Sequence, residues 1–285
     1  MKRLDNYEEV RKQISCAGIS ALLFPDELRQ HQEMLAETRD RKLAAICAAP
    51  LRDSEWSVVN TVYFRLKWTS VFEAFGAGGD FSLIEVGAGA TATVPETMAV
   101  YAAKNHGSPS YVTLNMNKYL TQAFLRNTAG LSIKAEVVED DAMNVKNHIA
   151  PGSVDIVAFQ HSVNDVLQAI LAEKNGLDTA RLDWMGILPD MIRLINRAYE
   201  SRALEQEAKE PFLRLVQNCA DVLKPGGILA MSHYMFQYDL DLGYNPELWR
   251  DMIPAVRPWL DELTGGREIF YDGFDPQWWY FWKKR

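Results

Sequence analysis

The chain has 285 residues, of which 48% are hydrophobic and 24% charged, with a formal net charge of −8. This composition excludes a disordered chain, because enough apolar residues are present to form a core. The acidic balance argues against nucleic acid and membrane surfaces as partners, since binding to phosphates needs an excess of Lys and Arg. The three cysteines are odd in number and widely spaced, which excludes a disulfide framework and predicts no metal site. We expect all three to be buried or inert.

The N-terminal segment predicts a cytoplasmic protein. Residues 1–16 carry charges throughout and lack the apolar stretch of a signal peptide. Nowhere does an uncharged apolar run reach the roughly 18 residues that a membrane-spanning helix needs.

Residues 1–78 are predicted to form a helical cap. Apolar residues recur among charged ones over residues 26–46, as on a surface helix. A second helix, rich in aromatic residues, is predicted over residues 56–75. The glycines within residues 76–79 are expected to end it.

From residue 79 onward, short apolar runs alternate with helical segments, which predicts a doubly wound α/β sheet. The last two strands are expected to form a hairpin at one edge. The interval 160–227 is longer than one crossover helix needs, so a helical insertion is predicted at about 166–210. The predicted strands are 81–86, 111–114, 133–138, 154–159, 228–231, 269–271 and 278–282.

A glycine-containing turn follows the first predicted strand. The sequence there reads Glu85-Val86-Gly87-Ala88-Gly89. Glycines allow a tight turn and a close approach of the backbone to a ligand. Several nucleotide-binding folds share such a turn. The third glycine position of the dinucleotide-binding motif is Ala92 here, and because that motif tolerates alanine, this residue does not discriminate among the folds.

The motifs that follow come in a recognisable order. From about residue 80 to the end, the sequence resembles the class I S-adenosylmethionine-dependent methyltransferases, of the type that acts on small molecules. This resemblance implies a seven-stranded Rossmann-like sheet with an antiparallel last strand in residues 79–285, and S-adenosyl-L-methionine as cofactor. The matching segments are Glu85-x-Gly87-x-Gly89, Leu114-Asn115-Met116-Asn117, Glu139-Asp140-Asp141-Ala142, Val154-Asp155-Ile156-Val157 and residues 223–229.

The resemblance also implies a role for individual residues. Glu85 would lie near the cofactor's ammonium group, and the glycine turn beneath its methionine part. Asp141 would accept a hydrogen bond from the adenine amine, with Asp140 as the alternative if the register slips. Ala142 would supply a backbone donor. The implied cofactor contacts are Glu85, Gly87, Ala88, Gly89, Asn115, Met116, Asp141, Ala142 and Gln160.

The sequence departs from the family at the end of the second strand. A carboxylate that binds both ribose hydroxyls is usual there, whereas this chain has Asn115. An amide accepts from one hydroxyl and donates to the other, without the strength of a charge-assisted bond. Two interpretations of Asn115 are possible: the ribose is contacted differently, or the cofactor site is weakened.

Candidate catalytic groups follow the fourth and fifth strands. His161 and His233 are the candidate general bases, because the pKa of imidazole lies near neutrality. Each has a structural role as the alternative. Asp165 and Tyr234 are candidate substrate contacts, although helix capping explains Asp165 equally well.

Aromatic residues of the cap provide further candidates. Tyr63 and Trp68 are predicted to contact substrate or cofactor. Arg65 between them is expected to be a surface charge. The aromatic strand 278–282 should place half of its side chains in the core and half against a helix or solvent.

We therefore expect a methyltransferase acting on a small-molecule oxygen or nitrogen acceptor, in secondary metabolism, either as a monomer or as a homodimer. Three alternatives remain open. One is a non-catalytic partner subunit that binds the cofactor, and another is an enzyme that uses the sulfonium for other chemistry. The third is a nicotinamide-dependent oxidoreductase, against which the acidic pair after the third strand counts.

Overall fold

The computed structural model describes residues 5–52, 55–75 and 78–285. Four helices come first: α1 (Tyr7–Ala17), α2 (Pro25–Glu33), α3 (Ala36–Ile46) and α4 (Val58–Ala74). Next come β1 (Ser82–Val86), α5 (Thr93–Asn105), β2 (Ser110–Leu114), α6 (Lys118–Thr128), β3 (Lys134–Val138), α7 (Val145–His148) and β4 (Val154–Gln160). The chain continues with α8 (Val163–Lys174), α9 (Trp184–Glu200), α10 (Leu204–Val222), β5 (Leu223–Ser232), α11 (Gln237–Asp241), α12 (Pro246–Arg250), α13 (Met252–Leu260), β6 (Gly266–Ile269) and β7 (Trp279–Lys284).

The strands form one seven-stranded sheet in the order β3-β2-β1-β4-β5-β7-β6. The first five run parallel, and β7 pairs antiparallel with both β5 and β6. The predicted doubly wound α/β sheet with an antiparallel last strand is confirmed. The closing hairpin is also present, with β6 at the edge. All parallel strands end at the same edge, and the order reverses between β1 and β4, where such sheets bind ligands.

Three helices, α8, α9 and α10, connect β4 to β5. One helix is enough for a parallel crossover, so the additional helices are available to cover the carboxyl edge of the sheet. The division at residue 78 and the insertion at 166–210 stay predictions.

Helix α4 lies in the interior, because its apolar side chains cover every side of the helix. Arg65 on this helix is 1% exposed, so the predicted surface position is wrong. Its guanidinium donates to Glu27 at 2.6 Å and to Glu96 at 3.0 Å. These two carboxylates compensate the buried charge, which would otherwise be costly.

Two helices, not one, cover the stretch predicted as a surface helix over residues 26–46. Met34 and Leu35 between α2 and α3 have extended backbone, with ψ of 136° and 141°. No Gly or Pro marks this break, so the hydrophobic pattern runs across it. The second predicted helix ends at Ala74, and Gly76 and Ala77 of the predicted break lie outside the described residues.

The aromatic residues 278–282 are all buried, because helices cover both faces of the sheet at this position. On one face, the ring of Trp279 lies 5.6 Å from that of Trp68 in α4. On the other, the guanidinium of Arg257 in α13 lies 5.5 Å from the ring of Tyr280. The side chains that do not face the core therefore pack against a helix and are not exposed to solvent.

Two expectations from composition have different outcomes. Cys47 and Cys219 are buried, but Cys16 is exposed, because it lies on the solvent side of α1. Within the described ranges, the helices are too short or too polar to cross a membrane.

Candidate functional site

A cavity of about 630 Å³ lies at the carboxyl edge of the sheet. Its walls come from the segments that follow β1, β2, β3 and β4, together with α8, α10 and residues 176–184. This volume suits a cofactor-sized ligand, and its position is the one where doubly wound sheets bind ligands.

The glycine turn after β1 forms part of the cavity wall. Gly87 and Gly89 have φ of +66° and +61°, in the left-handed region that favours glycine. A Cβ on Gly87 would meet the Cβ of Ser162 at 3.4 Å. The Ser162 hydroxyl in turn donates to the carbonyl of Val86 at 2.6 Å. The turn is thus held close against the start of α8.

Asn115 at the end of β2 clamps this turn from the other side. Its Oδ1 accepts from the Gly89 N–H at 3.0 Å, and its Nδ2 donates to the Gly89 carbonyl at 2.8 Å. An amide oxygen has two lone pairs and an amide nitrogen two protons, so each end keeps one position for a ligand. An aspartate at this position could make only the first of these bonds.

The two aspartates after β3 differ in how many hydrogen bonds they make within the protein. Asp140 accepts from Asn144 and from the backbone N–H of Asp141, and it bonds His148 at 2.7 Å. The hydrogen bond with His148 is the main reason that the pKa of Asp140 is lowered. One oxygen of Asp141 caps the following 3₁₀ turn by accepting from the Met143 N–H at 2.8 Å. The geometry therefore favours Asp141 as the ligand contact.

The cavity has an acidic lining with apolar patches. Five carboxylates and one arginine line it, namely Asp140, Asp141, Asp165, Glu173, Asp178 and Arg214. Apolar side chains, among them Leu120, Met143, Ile170, Leu177 and Trp184, complete its walls. Such a lining favours a cationic ligand with an apolar part.

Asn117 ties the segment between α8 and α9 to the end of β2. Its Nδ2 donates to the carbonyls of Thr179 and Leu182, at 2.8 and 2.9 Å. Its Oδ1 caps α6 by accepting from the N–H groups of Tyr119 and Leu120. Residues 176–182, which we call the strap, are therefore held over the cavity. The sequence analysis had not assigned Asn117 a role.

The structure brings together seven of the predicted site residues in this cavity and places the others outside its lining. Those that line it are Gly87, Gly89, Asn115, Met116, Asp141, Ala142 and Asp165. Those that do not are Glu85, Ala88, Gln160, His161, His233, Tyr63, Trp68 and Tyr234.

Glu85 and Gln160 are engaged within the protein. Glu85 is 1% exposed and accepts a hydrogen bond from the Tyr111 hydroxyl, and burial raises its pKa to about 8. The Gln160 oxygen accepts from the Trp68 indole N–H at 2.6 Å and from the Ser232 hydroxyl at 2.8 Å. The cofactor contacts of Glu85 and Gln160 stay predictions. The hydrogen bonds that both residues make within the protein do not favour these contacts.

The two candidate bases lie together at the ends of β4 and β5. The rings of His161 and His233 stack at 4.7 Å, and burial lowers the pKa of both. His161 accepts from the Tyr234 N–H at Nδ1, so its neutral ring carries the proton on Nε2, 3.8 Å from Asp239. In this state His161 has no free lone pair with which to act as a base. The geometry thus opposes the predicted base role of His161.

Tyr63, Trp68 and Tyr234 pack beside the sheet rather than at the cavity. Tyr63 donates to Asp5 at 2.6 Å and is fully buried, and Tyr234 packs edge-on against Phe64 at 4.9 Å. Their predicted substrate contacts therefore have no support in the cavity lining.

Asp239, on α11, is a further charged residue near the cavity that no sequence motif indicated. Its Oδ2 accepts from the Trp249 indole N–H at 2.8 Å, and its charge adds to burial in raising the pKa of nearby Asp165. Nothing in the local sequence marks this residue, since it stands outside every motif that the analysis identified.

Comparisons with known proteins give structural likeness only. No family model and no curated protein sequence matches this chain. A SAM-dependent methyltransferase from Aquifex aeolicus matches at 14% identity, over 76% of this chain and 88% of that one, with a TM-score of 0.46. The CurJ carbon methyltransferase matches at 12% identity, over 97% and 70%, with a TM-score of 0.43. The [4+2]-cyclase SpnF matches at 16% identity, over 63% and 47%, with a TM-score of 0.36.

At these identities and scores, the fold is assigned from the strand order and the pairing directions themselves. They are those of the class I methyltransferase fold. The predicted resemblance is confirmed at this level, and activity is a separate question, because one fold carries many functions.

Proposed function

We propose that this protein is an S-adenosylmethionine-dependent methyltransferase that acts on a small-molecule oxygen or nitrogen acceptor. The acidic cavity over the glycine turn is the observation that carries the proposal. S-adenosylmethionine carries a sulfonium and an ammonium against one carboxylate, so it is a net cation, and its adenine ring is flat and aromatic. The lining offers carboxylates beside apolar walls. The fold class agrees with this activity.

The residues of the cavity fit the parts of this cofactor. Gly87 and Gly89 leave room for the methionine part against the backbone, because no Cβ projects there. The remaining positions of the Asn115 amide suit the ribose hydroxyls. Asp141 faces the cavity with a carboxylate oxygen beyond the one that caps the 3₁₀ turn, and this oxygen suits the adenine amine. When bound, the cofactor supplies an activated methyl electrophile, so the protein has mainly to align the acceptor and exclude water.

The same lining argues against a nicotinamide dinucleotide. Its pyrophosphate carries negative charge and would lie at the glycine turn. The cavity offers one arginine, Arg214 on α10, against five carboxylates. An anionic cofactor would therefore meet repulsion where a cationic one is attracted.

A small acceptor fits the surroundings of Asp165 better than a macromolecule does. His161 and Asp239 beside it have side chains only 24% and 14% exposed. A protein or nucleic acid would not reach a group enclosed to this degree. We extend the proposal to a cytoplasmic metabolite as substrate.

The first test is thermal unfolding with added ligand. S-adenosylhomocysteine should raise the Tm in a concentration-dependent way, and NAD or NADH should leave it unchanged. The second test is methyl transfer from labelled S-adenosylmethionine to a metabolite extract. A Tm that responds only to NADH would refute the proposal. Cofactor binding without any methylated product would instead identify a non-catalytic protein or a non-methylating enzyme.

A further inference from the structure

A cluster of carboxylates and other polar side chains extends from the cavity toward α11. We define the acceptor cluster as Asn164, Asp165, His161, Asp239 and Trp249. Asp165 belongs to both regions, since it lines the cavity and is close enough to Asp239 for the two carboxylates to repel. Of the other members, His161 directly follows β4, Asn164 lies on α8, and Asp239 and Trp249 lie on α11 and α12.

The cluster has negative charge without a matching cation. Within residues 5–52, 55–75 and 78–285, no lysine or arginine forms an ion pair with Asp165 or Asp239. His161 Nε2 lies 3.8 Å from Asp239, but burial lowers the pKa of His161 and so disfavours its charged form. Buried carboxylates without a counter-charge are costly, and a bound cation would remove this cost.

An unpartnered acceptor marks the same place independently. Asn164 is 4% exposed, and its Nδ2 donates to Asp165 at 2.7 Å. This bond fixes the orientation of the amide, since the reverse orientation would set two oxygens against each other. Its Oδ1 is left without a hydrogen-bond partner among the described residues. A buried acceptor of this kind calls for a donor from a ligand.

We propose that the acceptor cluster binds a protonated amine, which makes this protein an amine N-methyltransferase. An ammonium group supplies the positive charge that Asp165 and Asp239 lack and a donor for the unpartnered oxygen of Asn164. The indole of Trp249 and the ring of Phe236, which packs edge-on to His161 at 5.2 Å, add aromatic surface on which a cation is favoured. A neutral alcohol would leave the charge of the carboxylates uncompensated. This inference rests on the proposed methyltransferase function.

The reaction balances with Asp165 as the base. The bound ammonium gives one proton to the Asp165 carboxylate, which frees the lone pair on nitrogen. That lone pair forms the bond to the methyl carbon as the carbon–sulfur bond breaks, with its electrons passing to sulfur. The products are the methylated ammonium ion and S-adenosylhomocysteine, and the proton on Asp165 passes to water. Burial and the Asp239 charge raise the pKa of Asp165 to about 7, which suits such a transfer near neutrality.

The test supplies labelled S-adenosylmethionine with two separate substrate pools. One pool contains primary and secondary amines, and the other contains alcohols, phenols and carboxylic acids of matched carbon skeletons. Mass spectrometry should find methylated products in the amine pool only. Products confined to the second pool, or products in neither pool, would overturn the amine inference. Binding of S-adenosylhomocysteine is measured beforehand by calorimetry, and its absence would count against the proposed function itself rather than against the amine inference alone.

Two variants on α11 locate the amine site. D239N keeps an oxygen for the Trp249 N–H but removes the charge, so kcat/KM for the amine should fall by at least about 30-fold. D241N removes a charge of the same sign from an exposed position on the same helix and should change nothing. Both variants should bind S-adenosylhomocysteine like the parent protein. Equal amine turnover in D239N and D241N would contradict the proposed site.

Discussion

The side chain of Asn115 holds Gly89 by both backbone groups, accepting from its N–H at 3.0 Å and donating to its carbonyl at 2.8 Å. This pair explains the departure from the usual carboxylate at the end of β2. An aspartate would accept from the N–H but would set its second oxygen against the carbonyl. The asparagine thus fixes the glycine turn, and ribose recognition depends on a turn that is already in place.

We therefore expect N115D to weaken the site, although it introduces the carboxylate usual in the family. Loss of the donor leaves the Gly89 carbonyl unpaired, which costs about 1–3 kcal/mol. The dissociation constant for S-adenosylhomocysteine should rise about 5- to 100-fold by calorimetry. N105D is the control, because Asn105 also donates to a backbone carbonyl, at the remote end of α5. Tighter binding by N115D would contradict the clamp.

Asp141 should recognise the adenine amine. D141A removes a charge-assisted hydrogen bond, worth about 1.5–3 kcal/mol, so the dissociation constant for S-adenosylhomocysteine should rise about 10- to 100-fold. The loss of the 3₁₀ cap also costs stability, on the order of 1 kcal/mol, which unfolding in urea measures separately.

The inosine analogue of S-adenosylhomocysteine separates these two effects, since it lacks the amine. The parent protein should bind this analogue weakly, and D141A should bind it no worse than the parent does. An equal loss of affinity for both ligands would show that Asp141 acts through local structure alone.

Asn117 should control the strap. N117D keeps the oxygen that caps α6 but loses the donor to Thr179 and Leu182. Two lost hydrogen bonds, worth about 1 kcal/mol each, predict hydrogen exchange in residues 176–182 that is faster by roughly 30-fold. Dissociation of S-adenosylhomocysteine should accelerate by a similar factor in stopped-flow measurements.

N245D is a matched control for this experiment. Asn245 also caps a helix through Oδ1, but at α12, away from the cavity lining. Its variant should leave exchange in the strap as it is in the parent protein. If N117D also left it unchanged, the strap would be held by packing instead.

Features that depend on the local chain could be predicted from the sequence. The alternation of apolar runs and helices predicts the sheet, because strand and helix periods are local properties. The turn at Gly87 and Gly89 was predictable because positive φ favours glycine. The resemblance to the methyltransferases, which depends on local motifs, assigns Asp141 its role, and the cavity lining includes this residue.

Features that depend on partners distant in the chain could not be predicted. Arg65 looks like a surface charge until α2 and α5 bring Glu27 and Glu96 to it. Asp239 stands outside every motif, and it gains its interest only from the fold that places it near Asp165. The contact that opposes the predicted base role of His161 also comes from a distant part of the chain. The backbone N–H that occupies its Nδ1 comes from the end of a different strand.

Glu85 should make stability depend on pH. Its pKa of about 8 in the folded state lies above the ordinary 4.5, because the carboxyl is buried. The folded protein therefore retains a proton that the unfolded chain releases, and this contribution reduces stability as the pH rises from about 4.5 to about 8.

E85Q removes the titration and still accepts from Tyr111, so its Tm should exceed that of the parent at pH 8.5. The gain should be several °C, at roughly 2–4 °C per kcal/mol, and should vanish near pH 4.5. E136Q, which alters an exposed carboxylate on β3, is the control for calorimetry across this range. An E85Q variant less stable than the parent at pH 8.5 would show that the fold needs the charged carboxylate. A large loss of S-adenosylhomocysteine affinity in E85Q would instead support the predicted contact with the cofactor's ammonium group.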